Sequence, residues 1–184
     1  KLEVQSPPRI IFAGRLMKQK NPLQIIKTLA KLQDIPWECV LLGDGPLREE
    51  IEEEISRHKL QDRIMLPGWV TPAEVIEWFR KSNILFMPSL SEGLPVVGVQ
   101  ALAMGLAMVV SNIGGFVDLV DEGKNGFLID DNDEYEKVLR KFLNDSEKIL
   151  SYKKASRKKA EEFSLLKIIG AYEDALRESS FSVK

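Results

Sequence analysis

Residues Gly93–Ser111, GLPVVGVQALAMGLAMVVS, decide what kind of fold this chain has. Up to Val110 the run is almost continuously apolar and long enough to suggest a membrane span. Pro95, Gly98, Gln100 and Gly105 interrupt it. Gly105 reads as a helix stop, and AMVVS beyond it reads as a buried strand. The stretch is therefore a helix followed by a strand in a water-soluble protein, and no signal-peptide pattern precedes it. Glu92, just before it, and Gln100, inside it, are the only long polar side chains between Ser91 and Gly105. Either they face solvent or a ligand needs them.

Outward from this stretch, strand-like and helix-like runs alternate. Arg9–Gly14, Trp37–Gly43, Arg63–Pro67, Asn83–Ser89, Leu106–Ser111 and Asn125–Asp130 are short and rich in Ile, Val, Leu and Phe. They lack polar alternation, which predicts strands buried on both faces. Between them, Thr71-Pro-Ala-Glu74 spells a capping box with proline at the first helical position, and Asn21-Pro22 opens another helix the same way. Tyr135, Val138, Leu139 and Phe142 mark one apolar helix face. The β-α-β-α order predicts an α/β fold: a doubly wound, mostly parallel, six-stranded Rossmann-like sheet with right-handed crossovers. Residues 9–184 form one domain, whose residues 146–184 are a charged helical tail. The opening KLEVQSPP, residues 1–8, reads as the end of a linker, so a longer protein is expected.

Composition bounds the function. Of 184 residues, 44% are hydrophobic and 29% charged, with a net charge of −2, which supplies the core of one domain but no basic surface for nucleic acid. The single cysteine, Cys39, excludes an internal disulfide and a thiolate metal cluster.

In doubly wound sheets ligands bind beyond the carboxyl ends of the strands. The segments at and past the ends of the first five strands are Gly14-Arg15 with Lys20, then Gly43-Asp44-Gly45-Pro46, then Gly68-Trp69-Val70, then Ser91-Glu92-Gly93-Leu94-Pro95, then Ser111-Asn112-Ile113-Gly114-Gly115. Arg15 and Lys20 could neutralise a diphosphate, or could be two solvated loop cations. The helix after Glu92 is expected to start at Pro95. Leu94 before it cannot cap, so its free N–H groups suit an anion, unless Ser91 or Glu92 folds back as a cap.

The motifs GRLxxxK, VLLGDGPL, LPGWV, PSxSEGLP, NIGGFVDLV and NGFLI succeed one another between Arg9 and about Asp145. In this the sequence resembles the C-terminal, nucleotide-sugar-binding domain of family 4 (group 1) retaining glycosyltransferases, which have the two-domain GT-B fold. The resemblance implies that Gly14, Arg15 and Lys20 hold a donor diphosphate, and that Glu92 reads the donor sugar's hydroxyls. It implies that Gly93, Leu94 and Pro95 offer amides to sugar and phosphate, that the backbone of Val70 meets the base, and that Gln100 meets the ribose. Gln100 departs from the family's glutamate there, and Asp118 shortens a position usually held by Glu. A carboxylate accepts from both ribose hydroxyls, whereas an amide has one accepting oxygen.

The resemblance thus implies the donor half of an enzyme that moves a sugar from a nucleoside diphosphate to a saccharide or lipid-linked acceptor, in polysaccharide or glycolipid synthesis. Arg15, Lys20 and Glu92 would be its catalytic residues, with no obligatory metal. The acceptor would sit mainly on an N-terminal domain outside this chain, and this fragment alone would bind donor without turnover. The expected location is the cytoplasm, with peripheral contact at the inner membrane face as one option. The alternative is a non-catalytic nucleotide-binding module with a decayed site, for which Gln100 speaks.

Other signals read more plainly. Gly43-Asp44-Gly45 lacks the third glycine of a dinucleotide fingerprint, since Arg48 stands there. Asp131-Asn132-Asp133 is read as a helix start rather than a metal motif. His58 is expected at the end of an acidic helix with no carboxylate partner, Cys39 in the core, and the basic run Lys153–Lys159 on a solvated helix face or, less favoured, against an anionic membrane.

Overall fold

A computed structural model describes residues 2–93 and 95–163. All six expected strands form: β1 (Arg9–Ala13), β2 (Glu38–Leu42), β3 (Ile64–Gly68), β4 (Ile84–Met87), β5 (Ala107–Ser111) and β6 (Gly126–Ile129). They make one sheet in the order β3-β2-β1-β4-β5-β6, and every pairing is parallel. The helices among the described residues are α1 (Pro22–Ala30), α2 (Arg48–Arg57), α3 (Pro72–Arg80), α4 (Val96–Met104), α5 (Gly114–Val117), α6 (Glu134–Leu143) and α7 (Ser146–Ala160). The architecture is the expected doubly wound Rossmann-like fold. The order reverses between β1 and β4, and that is where such a sheet opens a crevice for a ligand.

The stretch from Gly93 to Ser111 folds as its sequence predicts. α4 ends at Gly105, which takes the left-handed conformation (φ 72°), and β5 begins two residues later, buried at every position. No helix among the described residues is long and apolar enough to cross a membrane. β1, β2, β4 and β5 are buried along nearly their whole length. β3 and β6 are less so, each being an edge strand: β3 leaves Met65 and Pro67 exposed on one face, its edge position tolerating the proline, and Phe127 and Leu128 of β6 are half-buried. Burial on both faces is thus corrected to the four inner strands.

Thr71 and Glu74 close both halves of the capping box: the Glu74 amide donates to Thr71 Oγ1 at 3.3 Å, and the Thr71 amide to Glu74 Oε2 at 2.7 Å. Asn21 behaves differently. It is left-handed (φ 49°), ends the short 3-10 turn Lys18–Lys20, and makes no side-chain cap for α1, although Pro22 takes its expected place. α6 starts where Asp131-Asn132-Asp133 predicts, but it is Asp131, not Asp133, whose carboxylate takes a backbone N–H there. The tail's α7 is helical as expected; residues 164–184 lie outside the described ones. At the other end, Val4 packs against the core and Pro8 is buried, its carbonyl accepting from Glu38 at 3.1 Å.

Cys39 is buried in β2, where burial pushes its thiol up, so it is inert core. His58 caps the C-terminus of α2 as expected, but it does have a carboxylate beside it, with Nε2 3.4 Å from Glu54 Oε2. The basic run needs the larger correction. Lys153 is 2% exposed and donates to the Ser82 carbonyl at 2.6 Å. Ser156 is buried, and Lys159 is paired with Asp121 and Glu162. Only Lys154, Arg157 and Lys158 form a solvated basic face.

Candidate functional site

The candidate site grows out of the ends of β1, β2, β3 and β4. Past β1, the amide of Gly14 donates to Leu42 and that of Leu16 to Asp44, at 3.0 and 2.9 Å. The parallel ladder therefore continues beyond the two strands. Leu16 turns into the core, and Arg15 between the two bonded amides is left exposed. Gly43 makes this approach possible: its φ is +126°, and a Cβ there would stand 2.0 Å from the Gly14 carbonyl oxygen.

The 3-10 turn Lys18–Lys20 is fastened to the loop after β4. The carbonyl of Gln19 accepts from the Leu90 amide at 2.8 Å, and Gln19 Nε2 donates to the Ser91 carbonyl at 3.1 Å. This clamp sets Lys20 opposite Glu92. Lys20 Nζ donates to both carboxylate oxygens, at 2.6 and 2.7 Å, and the Glu92 side chain is only 7% exposed. On its other side Glu92-Gly93 presses against the start of α5. A Cβ on Gly115 would lie 1.9 Å from the Gly93 carbonyl oxygen and 2.8 Å from Glu92 Cβ, so only glycine fits.

α4 begins one residue later than expected. Pro95 is buried and serves as the N-cap residue, not the first helical one, and offers no side-chain cap. Its carbonyl accepts from Gly98 and Val99, at 2.8 and 3.2 Å. The amides of Val96 and Val97 sit where an α-helix offers no partner of its own. Glu92 does not fold back to cap them; it is committed to Lys20. Leu94 lies outside the described residues.

Beside α4 lies a cavity of about 580 Å3 lined by Gly14, Arg15, Val70 and Gln100 among others, a volume ordinary for a small-molecule site. Val97 and Gln100, three apart on α4, share its wall. Its lining mixes apolar side chains, Leu42, Val70 and Val75, with the polar ones of Arg15, Gln100 and Asp44. Lys20 borders it, since its stem passes within 3.8 Å of where a Gly14 Cβ would stand. The structure thus brings Gly14, Arg15, Lys20, Val70, Glu92, Gly93, Pro95 and Gln100 to one edge of the sheet. Sequence reading gave no role to Trp69, which also lines the cavity and is 74% exposed. Its signal was an aromatic residue directly after a strand at the ligand edge. Arg48, in place of the missing third glycine, holds α2 instead, pairing with Asp44 and Glu52 and donating to the Leu66 carbonyl.

Known proteins share this architecture. The family model "Glycosyl transferases group 1" matches residues 1–159. A relative from Paenarthrobacter aurescens, D-inositol 3-phosphate glycosyltransferase, is 32% identical over 127 residues, covering 66% of this chain and 31% of its own length. The chain thus spans about a third of that relative. Among solved structures, a mutant of S. aureus TarM in complex with fondaparinux, alpha-GlcNAc-glycerol and UDP superposes with a TM-score of 0.84 at 17% identity, over 94% of this chain and 36% of that one. Anabaena HepE in complex with UDP and glucose gives 0.80 at 22% identity, over 92% and 48%. At such identities these two structures speak for the fold.

Proposed function

Because the chain belongs to the group 1 glycosyl transferases, we propose that it is the donor-binding part of a retaining enzyme, moving a sugar from a nucleoside diphosphate to an acceptor hydroxyl. The observation that carries this reading is the cavity at the β1/β4 reversal, with Arg15 in its lining, Lys20 beside its Gly14 and the uncapped start of α4 next to it. In this arrangement the base lies against the Val70 backbone and the Trp69 ring, both in the cavity lining. The ribose lies along α4 at Gln100. The diphosphate meets Arg15, Lys20 and the amides of α4, and the sugar meets Glu92 and Gly93. UDP is bound in both TarM and HepE, which supports a nucleotide donor here.

Positive charge and free amides at the diphosphate stabilise the negative charge that grows as the sugar–phosphate bond breaks. Under this reading transfer needs no bound metal, and a chelator leaves the rate of the full-length enzyme unchanged. The acceptor, a saccharide or a lipid-linked sugar, is held mainly by a separate N-terminal domain, so the chain alone binds donor without turnover. A place in polysaccharide or glycolipid synthesis, in the cytoplasm and for a lipid-linked acceptor at the inner membrane face, goes with that chemistry.

Titration calorimetry with UDP and GDP tests the reading: saturable binding of one of them is expected, and binding of neither sinks it. A transfer assay on the full-length protein separates the enzyme from a nucleotide-binding module with a decayed site. Gln100 decides how well ribose is held. Its amide can make one good neutral bond where a carboxylate would accept two charge-assisted ones, worth roughly 1.5–3 kcal/mol each against about 1. Gln100→Glu is expected to tighten the preferred nucleotide about tenfold. The 2′,3′-dideoxy nucleotide should gain nothing; an equal gain there would mean that the ribose is not at Gln100.

A further inference from the structure

We propose that the Lys20–Glu92 ion pair is a latch that makes the site discriminate the sugar-bearing donor from the bare nucleoside diphosphate. The inference rests on the donor-binding reading above and adds to it a property of the empty site. Lys20 Nζ is bonded to both oxygens of Glu92, and the two side chains are 20% and 7% exposed. Lys20 is the only ammonium paired with Glu92 among the described residues, whereas Arg15, exposed at the rim, has no ion-pair partner among them. One cation of the site is thus free for a phosphate and the other is already engaged.

An ammonium has three N–H donors, and two of Lys20's are spent on the carboxylate. Moving Lys20 onto a diphosphate oxygen loosens those bonds and strips a buried carboxylate of its counter-charge, which is costly. A complete donor brings hydroxyls that donate to Glu92 and replace what the ammonium gave. A bare nucleoside diphosphate brings none. The latch therefore penalises the bare nucleotide and not the sugar-bearing one, which favours departure of the nucleotide left after transfer. The clamp formed by Gln19 holds the two loops at the spacing the pair requires.

Glu92→Gln tests this, since the amide keeps the shape and releases the ammonium. Calorimetry with UDP and GDP is expected to show the preferred nucleotide bound about tenfold more tightly than by the wild type, about 1.4 kcal/mol. Its sugar conjugate, UDP-glucose or GDP-mannose, should not gain. Removing a negative charge near a phosphate site could tighten binding without any latch, so the same substitution is made in a Lys20→Met background. There the gain should vanish; a gain of the same size would assign the effect to the general field and overturn the latch. Glu92→Asp, which keeps the charge but shortens the reach, should show a smaller gain and serves if the glutamine variant does not fold. Unchanged or weaker nucleotide binding in Glu92→Gln, or in Glu92→Asp when that variant stands in, overturns the proposal while leaving the donor-binding reading intact. A wild type that binds neither UDP nor GDP ends both.

Discussion

Replacing Arg15 and Lys20 together with alanine is expected to lower affinity for the nucleoside diphosphate at least a hundredfold. Each side chain can make a charge-assisted bond to a phosphate oxygen, worth roughly 1.5–3 kcal/mol, and a hundredfold is about 2.8 kcal/mol. Calorimetry on the single and double variants measures it, and a double variant that binds as tightly as the wild type would remove both cations from the site. Stability separates the two positions. Read from the sequence, both are rim cations whose removal leaves thermal stability nearly unchanged. The structure supports that for Arg15, which is exposed and unpaired among the described residues. Lys20→Ala instead strands the Glu92 carboxylate, 7% exposed, at a cost of about 1–3 kcal/mol. Thermal melts should show the loss for Lys20→Ala, its absence for Arg15→Ala, and partial recovery when Glu92→Gln is added to Lys20→Ala.

The pH dependence of stability should carry the mark of Lys153. Burial lowers its ammonium from the ordinary 10.5 to about 8. The unfolded chain therefore holds this proton more tightly than the folded one. Unfolding takes up a proton between about pH 8 and 10.5, and stability rises as pH climbs through that window. Below it both states are protonated and the penalty is fully present. At 1.36 kcal/mol per unit, the gain approaches about 3 kcal/mol, trimmed because the Ser82 carbonyl favours the charged form. Chemical denaturation of wild type and Lys153→Met at pH 7 and pH 10 isolates the effect. Tyr135, whose phenol burial pushes up to about 12, and Tyr152, also raised, are the same in both proteins. A wild type that gains no more than the methionine variant would show that Lys153 titrates normally.

Most of the fold was legible because the inner strands are buried on both faces, and unbroken apolar runs have no other stable place. Gly105 placed the boundary between α4 and β5, and Thr71 with Glu74 placed α3, because those signals are local. What escaped depends on partners distant in sequence. Nothing around Lys153 announces the Ser82 carbonyl, 71 residues away, and nothing around Lys20 announces Glu92, 72 residues away. The ligand-edge residues are legible from the segment after each strand, but not that two of them neutralise each other. Asn21 misled because asparagine suits both an N-cap and the left-handed conformation, and here the second use prevails.

The strand order has a consequence for how the protein is made. β1 lies between β2 and β4, and four of its five residues end up buried. A nascent chain that has emerged as far as Arg80 can assemble β1, β2 and β3, yet the other edge of β1 waits for Ile84–Met87. Until they leave the ribosome, that edge offers unpaired amides and carbonyls beside Ile10, Ile11 and Phe12, a template for any strand of another chain. A translational pause before Ile84–Met87 have emerged is therefore more dangerous for this sequence than one after they have, when the gap can be filled from within.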